Sequence, residues 1–237
     1  MFPFFPMALG EEAGEAAAET AAVVEETPSF WTTLVDKFVE TPATTWIAVA
    51  VIVVLALMLL LFGKTRKQWT ARTVAFAALA VALSFVLSLF RLYRMPSGGS
   101  ITPASMLPVM LFAAAFGVGP GVLAGAVLGV LQYMQGGWFL NVWQFLLDYV
   151  LAYAALGLCG LYAHVREKKD WQLFLFMLLA TFVRFVSATL AGYMFWDTAF
   201  VASMAYNGTY LIPDLAICMV LAVPLHKPVM RVLTTGR

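Results

Sequence analysis

From Trp46 onward the chain repeats one pattern: a long apolar run, then a short break rich in glycine, proline or charge. The run from Trp46 to Phe62 is unbroken and, at about 1.5 Å per residue, matches a hydrocarbon core of roughly 30 Å as a helix. Six further apolar segments follow, at Thr73 to Phe90, Ala104 to Phe116, Gly121 to Met134, Val142 to Tyr162, Leu173 to Phe195 and Thr209 to Leu225. Several are short for a full crossing. Short helices bounded by glycine and proline are a habit of solute carriers, where irregular backbone at membrane depth is tolerated if it lines protein or a watery cavity. The pattern predicts an all-α membrane protein, a six-helix bundle over 73–225 preceded by one extra transmembrane helix over 46–63.

The segments outside the bundle differ in kind. Residues 1–45 hold eight of the thirteen acidic residues and little apolar periodicity, and read as a solvated, disordered tail. A long acidic stretch before the first run is also the wrong lead for a cleaved signal peptide, which begins short and basic. Residues 64–72 form a basic linker and 226–237 a basic tail. With the linker on the cytoplasmic side and six crossings after it, ten of the fourteen lysines and arginines fall inside, so the carboxyl terminus is expected inside and the acidic tail outside.

Composition agrees with that frame. Hydrophobic residues make up 62% and charged residues 11%, with a mean hydropathy of +0.88, where globular chains carry about 25% charge. A net charge of +1 gives no concentrated basic face, so no nucleic-acid partner is expected. Cys159 and Cys218 sit in apolar runs with no ligand partners at metal spacing; they read as buried thiols, and neither a metal site nor a cofactor is implied.

Polar residues inside apolar runs carry the functional argument, because a charge in hydrocarbon costs a few kcal/mol and persists only with a partner or a role. Asn141, Gln144 and Asp148 are spaced i, i+3, i+7 and share one helical face, a polar stripe suited to a binding pocket, or alternatively to interhelical hydrogen bonding. Arg184 and Asp214 lie at similar depth on the last two helices and are expected to form a buried structural ion pair. At the outer junction, Phe195, Trp196 and Asp197 precede Tyr206, Asn207, Gly208, Thr209 and Tyr210. Asn207 between two tyrosines offers donors and an acceptor together, as a heterocyclic solute requires.

Small residues shape the scaffold. Gly117, Gly121, Gly125 and Gly129 make a smooth ridge for close helix approach. Ala71, Ala75, Ala78 and Ala82 give the first bundle helix a small-residue face that either packs internally or docks a partner. Gly98, Gly99 and Ser100, in the loop Met95 to Pro103, supply the freedom a lid needs. An intramembrane enzyme is disfavoured: His164 and His226 are the only histidines, and both fall in cytoplasmic segments away from any membrane serine. A stand-alone secondary transporter would show repeated halves, which are absent from the sequence.

Three segments, RMPSGGSITPASML from Arg94 to Leu107, QFLLDYVLAYAALGLCGL from Gln144 to Leu161 and AYNGTYLIPD from Ala205 to Asp214, closely resemble the thiamine-specific substrate-binding subunits (S components) of energy-coupling factor transporters. The resemblance spans about Ala71 to Leu225. It implies a six-helix protein that binds thiamine from outside under a first-loop lid, with partners in a transmembrane coupling subunit and two cytoplasmic ATPase subunits. It further implies that Asp148 and Tyr149 match the family's acidic-tyrosine pocket pair, Trp196 a stacking aromatic, Asn207 a polar contact, and Ala78 and Ala82 the docking alanines. Gln144 and Tyr210 join these as candidate substrate contacts. The chain departs from the family at Ala188, where a histidine is frequent, and at Ala202, the best-aligned position for a pocket tyrosine. Thiamine is the leading ligand; its pyrimidine or thiazole precursors fit the same chemistry.

Overall fold

The computed structural model describes residues 70–95 and 98–235. The acidic tail expected over 1–45, the extra membrane helix over 46–63 and residues 64–69 of the linker lie outside them. Within the described residues the chain forms six helical rods: α1 (Ala71–Leu89), α2 (Leu107–Phe116), α3 (Val118–Met134), α4 (Val142–His164), α5 (Asp170–Phe195) and α6 (Phe200–Thr234). Four of them, α1, α4, α5 and α6, are long and apolar enough to cross a membrane, while α2 and α3 are shorter apolar helices. An all-α membrane bundle is therefore what the sequence folds into, with one small exception, a two-residue antiparallel ladder of β1 (Tyr93–Arg94) and β2 (Ser100–Ile101).

Local chemistry sets the ends of these rods. The Thr70 side chain accepts the Thr73 N–H and opens α1. Gly117, at a φ of 101°, lets α2 break directly into α3, a backbone conformation that other residues adopt only at a cost. Lys169 N–H donates to the Gln172 side chain at 2.8 Å and starts α5. α2 is apolar on every side, and its residues other than Pro108 are buried, which makes this short rod the axis around which the others stand. Phe112 and Phe116 stack at 4.8 Å on it, and Phe76 of α1 meets Phe116 at 6.0 Å.

The glycine ridge of α3 packs against α4. A β-carbon added at Gly121 would strike Ala113 and Gly157, at Gly125 the Tyr153 carbonyl, and at Gly129 the Tyr149 carbonyl. The backbones of α3 and α4 therefore touch directly. α4 is irregular along its length: α-helical from Val142 to Phe145, π-helical from Leu146 to Leu151, α-helical again to Ala154, and 3-10 from Ala155 to His164.

Two expectations change in α6. The helix starts at Phe200 rather than Thr209, so the Tyr206 to Tyr210 run is helical rather than a junction, and it continues through the expected tail to Thr234. Pro213, Pro224 and Pro228 lie inside it. At 35 residues it is about 50 Å long, more than a membrane requires. Beyond that depth, Asp170 at the start of α5 pairs with Lys227 at 2.8 Å and His226 at 3.2 Å, fastening the two helices.

Candidate functional site

One end of the bundle encloses a cavity of about 750 Å³. That size suits a small-molecule site. Its walls come from the β1–β2 hairpin, the end of α3 and the turn after it, the middle of α4, and the facing halves of α5 and α6.

Asp148 is its acid. It stands in the π-helical turn, as does Tyr149, and both line the cavity together with Tyr153. Residues 148 and 153 are five apart, which a regular α-helix would splay by about 140°. The wider π turn brings positions so spaced near register, a feature frequent at functional sites. Gln144 Nε2 donates to Asp148 Oδ2 at 3.0 Å, and Asp148 lines the cavity. Gln144 itself is fully buried, and it is absent from the cavity wall. Its amide oxygen accepts the Leu140 N–H at 3.3 Å and its own N–H donates to Asn141 Oδ1 at 2.8 Å. The expected contact stripe of Asn141, Gln144 and Asp148 is thus corrected: one residue reaches the cavity and two hold it, because Asn141 caps the helix and Gln144 turns inward.

Trp196, at the end of α5, lines the cavity and meets Trp138 edge to face, with ring centroids 6.1 Å apart. Trp138 arrives on the turn after α3, where its N–H donates to the Tyr149 hydroxyl at 3.0 Å. Sequence reasoning passed over this residue; the Gly136-Gly137 pair before it, with Gly136 at a φ of 102°, was the available signal of a built turn.

Asn207 is buried in the wall but already engaged. Its amide donates to the Ser203 carbonyl at 2.9 Å and its oxygen accepts the Tyr210 hydroxyl at 2.7 Å. The free amide expected between two tyrosines is therefore a braced one, since i, i+3 and i, i+4 spacing within α6 brings these groups together. Tyr210 also lines the cavity.

Arg184 and Asp214 both line the cavity and are buried, yet the expected ion pair is not made. Among the described residues ion pairs form only around Asp170. Asp214 Oδ1 instead accepts the Thr102 N–H at 3.1 Å and hydroxyl at 2.7 Å. Arg184 lies over the Tyr153 ring at 3.9 Å, with its Nη1 free of any hydrogen-bond partner. Each charge found its compensation nearer at hand, in a backbone N–H with a hydroxyl and in a π face.

The hairpin carrying Gly98, Gly99 and Ser100 forms the remaining wall. Its strands pair Tyr93 with Ile101 and Arg94 with Ser100. Gly99 N–H donates to the Tyr206 hydroxyl at 2.8 Å, and a β-carbon at Gly99 would sit 2.7 Å from the Tyr210 ring. Ala188 and Ala202 both line the cavity, so the two family departures fall on its surface. Ala78 and Ala82 do not line the cavity and lie on the exposed face of α1 with Leu79, Leu83 and Val86.

A helical membrane bundle that gathers an acid, a guanidinium and two indoles around one hollow has the architecture of a membrane solute-binding protein. Comparison with known proteins narrows the class. Residues 74–234 match the family described as Thiamine transporter protein (Thia_YuaJ), and the chain belongs to that family. It is 30% identical over 177 residues to the thiamine transporter ThiT of Bacillus subtilis (strain 168), covering 68% of this chain and 91% of that protein. The solved structure of ThiT from Listeria monocytogenes shares the fold with a TM-score of 0.59 at 21% identity, over 68% of this chain and 96% of that one.

Proposed function

We propose that this protein captures thiamine outside the cell and delivers it inward as the substrate-binding subunit of an ATP-driven energy-coupling factor transporter. The observation that carries the reading is the carboxylate of Asp148, braced by Gln144 and lining one cavity with Trp196. Thiamine bears a fixed cationic thiazolium and an aminopyrimidine edge. In a partly desolvated hollow Asp148 attracts the cation more strongly than water would permit. Trp196 offers it a ring face. Tyr149, Tyr210, Asn207 and the free Nη1 of Arg184 supply polar contacts for the heterocyclic edges. The hairpin of Gly98, Gly99 and Ser100 closes over the ligand as a lid, with Tyr206 as its latch.

The family match and the identity to the Bacillus subtilis thiamine transporter support thiamine as the ligand. The remaining parts of the proposal rest on the sequence: the resemblance implies that Ala78 and Ala82 meet a transmembrane coupling subunit and that two cytoplasmic ATPases drive release, and the distribution of lysine and arginine puts the carboxyl terminus inside with the acidic tail outside. The exposure of both alanines leaves that face open to such a partner. A second reading has one specific observation behind it. Ala188 and Ala202 present small side chains on the cavity wall, which suits a thiamine precursor or another vitamin of different outline.

Tryptophan fluorescence titration of the purified full chain with thiamine, its pyrimidine and its thiazole tests the reading, with tightest binding expected for thiamine. Absence of thiamine binding would sink it. Growth of a thiamine auxotroph carrying this chain with and without the coupling subunit and ATPases tests the mode of transport; uptake without them would make it a stand-alone carrier.

A further inference from the structure

One whole side of α1 is left open by the bundle. Val74, Ala78, Leu79, Ala82, Leu83 and Val86 recur at the spacing of a single helical face, and every one is exposed, Leu79 at 62% and Val74 at 53%. The opposite side, with Thr73, Ala80, Val81, Ser84 and Ser88, is buried, and α1 packs there on α2 and α3. No charged residue interrupts the open side between Val74 and Val86, so it is a face for lipid or for another helix.

The chain ahead of α1 narrows that choice. The apolar run 46–62, which lies outside the described residues, is joined to Thr70 by residues 63–69 alone. Seven residues reach no further than about 25 Å, and packed helices stand about 8–10 Å apart. The run is thereby confined to the surroundings of the first turn of α1. Thr70 is extended, with φ −92° and ψ 158°, so the chain leaves the axis of α1 at that point instead of continuing it as one rod. In the topology proposed above, the run 46–62 passes inward and α1 passes outward. Antiparallel helices with so short a connection are usually direct neighbours. One flank of the first turn of α1 is already taken, because Arg72 Nη2 donates to the Val232 carbonyl at 3.1 Å and brings the end of α6 against it.

We propose that residues 46–62 pack as an antiparallel helix along the open face of α1, and that this chain therefore carries its own occupant for the surface that Ala78 and Ala82 offer a coupling subunit. A short tether holds its segment at an effective concentration on the order of millimolar, so a partner arriving through the membrane has to displace it. The two occupants exclude each other, and coupling waits on the run 46–62 swinging aside. The packing stands on α1 and its tether; the competition rests on the coupling reading given above.

The test combines Leu79→Cys in the full chain with Val53→Cys, Val54→Cys, Leu55→Cys or Ala56→Cys, positions that an antiparallel hairpin sets at matching depth. The native Cys159 and Cys218 are buried and provide the background. Membrane vesicles are oxidised with copper phenanthroline, and the free thiols left in the denatured monomer are counted. One or two of the four pairs are expected to close within the chain, since only one side of a packed helix faces its neighbour. With the coupling subunit and ATPases present, closing the best pair should cut thiamine uptake at least about tenfold, because a locked occupant can no longer be displaced. Reduction should restore uptake, and thiamine affinity should be the same in both states. Disulfides that form only between two chains overturn the proposal and give the face to a second copy. No closure, or equal closure of all four pairs, overturns it as well and leaves the face to lipid. Closure within the chain that leaves uptake unchanged overturns the competition. If Ala78→Trp also transports at the wild-type rate, the coupling reading is what has failed, and the disulfide pattern still decides the packing.

Discussion

Asp148 is one carboxylate among many apolar neighbours, and its value depends on what surrounds it. Gln144 fixes one of its oxygens. Replacing Asp148 by Asn keeps the shape and removes the charge. Truncating a close charge pair costs about 2–5 kcal/mol, so thiamine affinity should fall by about thirtyfold or more with the melting temperature little changed. Calorimetric titration beside a thermal melt reads both; unchanged affinity would remove Asp148 from the site. Gln144→Ala should act more weakly, because the carboxylate keeps its charge and loses only its brace. About a tenfold loss on the same titration is expected, with the effect confined to affinity. Tyr206 tests the lid. Its hydroxyl holds Gly99 N–H, a bond worth about 1 kcal/mol net, so Tyr206→Phe should speed thiamine release about fivefold in stopped-flow fluorescence. Equal release rates would leave the lid without its latch.

At the scale of elements, the contact between α3 and α4 positions the site. Because Gly125 and Gly129 let α3 approach the carbonyls of Tyr153 and Tyr149, the π-helical turn that carries Asp148 is backed by a rigid surface. Gly125→Ala puts a methyl group against the Tyr153 carbonyl. Overpacking of this kind costs about 1–3 kcal/mol, so a lower melting temperature in detergent is expected, with weaker thiamine binding because the displaced residues line the cavity. A variant as stable as the wild type would show that the two helices have slack. The ridge itself was legible as repeated glycine at every fourth position. The π turn was not: nothing in Leu146 to Leu151 distinguishes it from an α-helix by period, since its cause lies in what α4 packs against. The reading of Asn141, Gln144 and Asp148 as one face, correct for an ideal helix, misplaced two of the three because Asn141 caps the helix and Gln144 turns inward.

For the molecule as a whole, the proposal separates capture from delivery. The cavity lies among the helices, whereas Ala78 and Ala82 lie outside on α1. Ala78→Trp and Ala82→Trp should therefore leave thiamine affinity intact while blocking uptake in cells that carry the coupling subunit and ATPases, because a bulky ring prevents close approach of a partner helix. Uptake at wild-type rate would remove this face from the coupling proposal.

The amino-acid sequence by itself determined that the chain is a helical membrane bundle, where most of its helices run, and which residues deserved attention, because apolar run length and isolated polar groups are local properties written in order along the chain. The departures of individual side chains were decided only by tertiary structure. Asp214 turned to Thr102 rather than to Arg184, Gln144 turned inward to hold Asp148, and Trp138 swung from its turn to meet Trp196. A buried polar group takes the nearest well-oriented partner, and which partner is nearest depends on contacts between residues far apart in the chain.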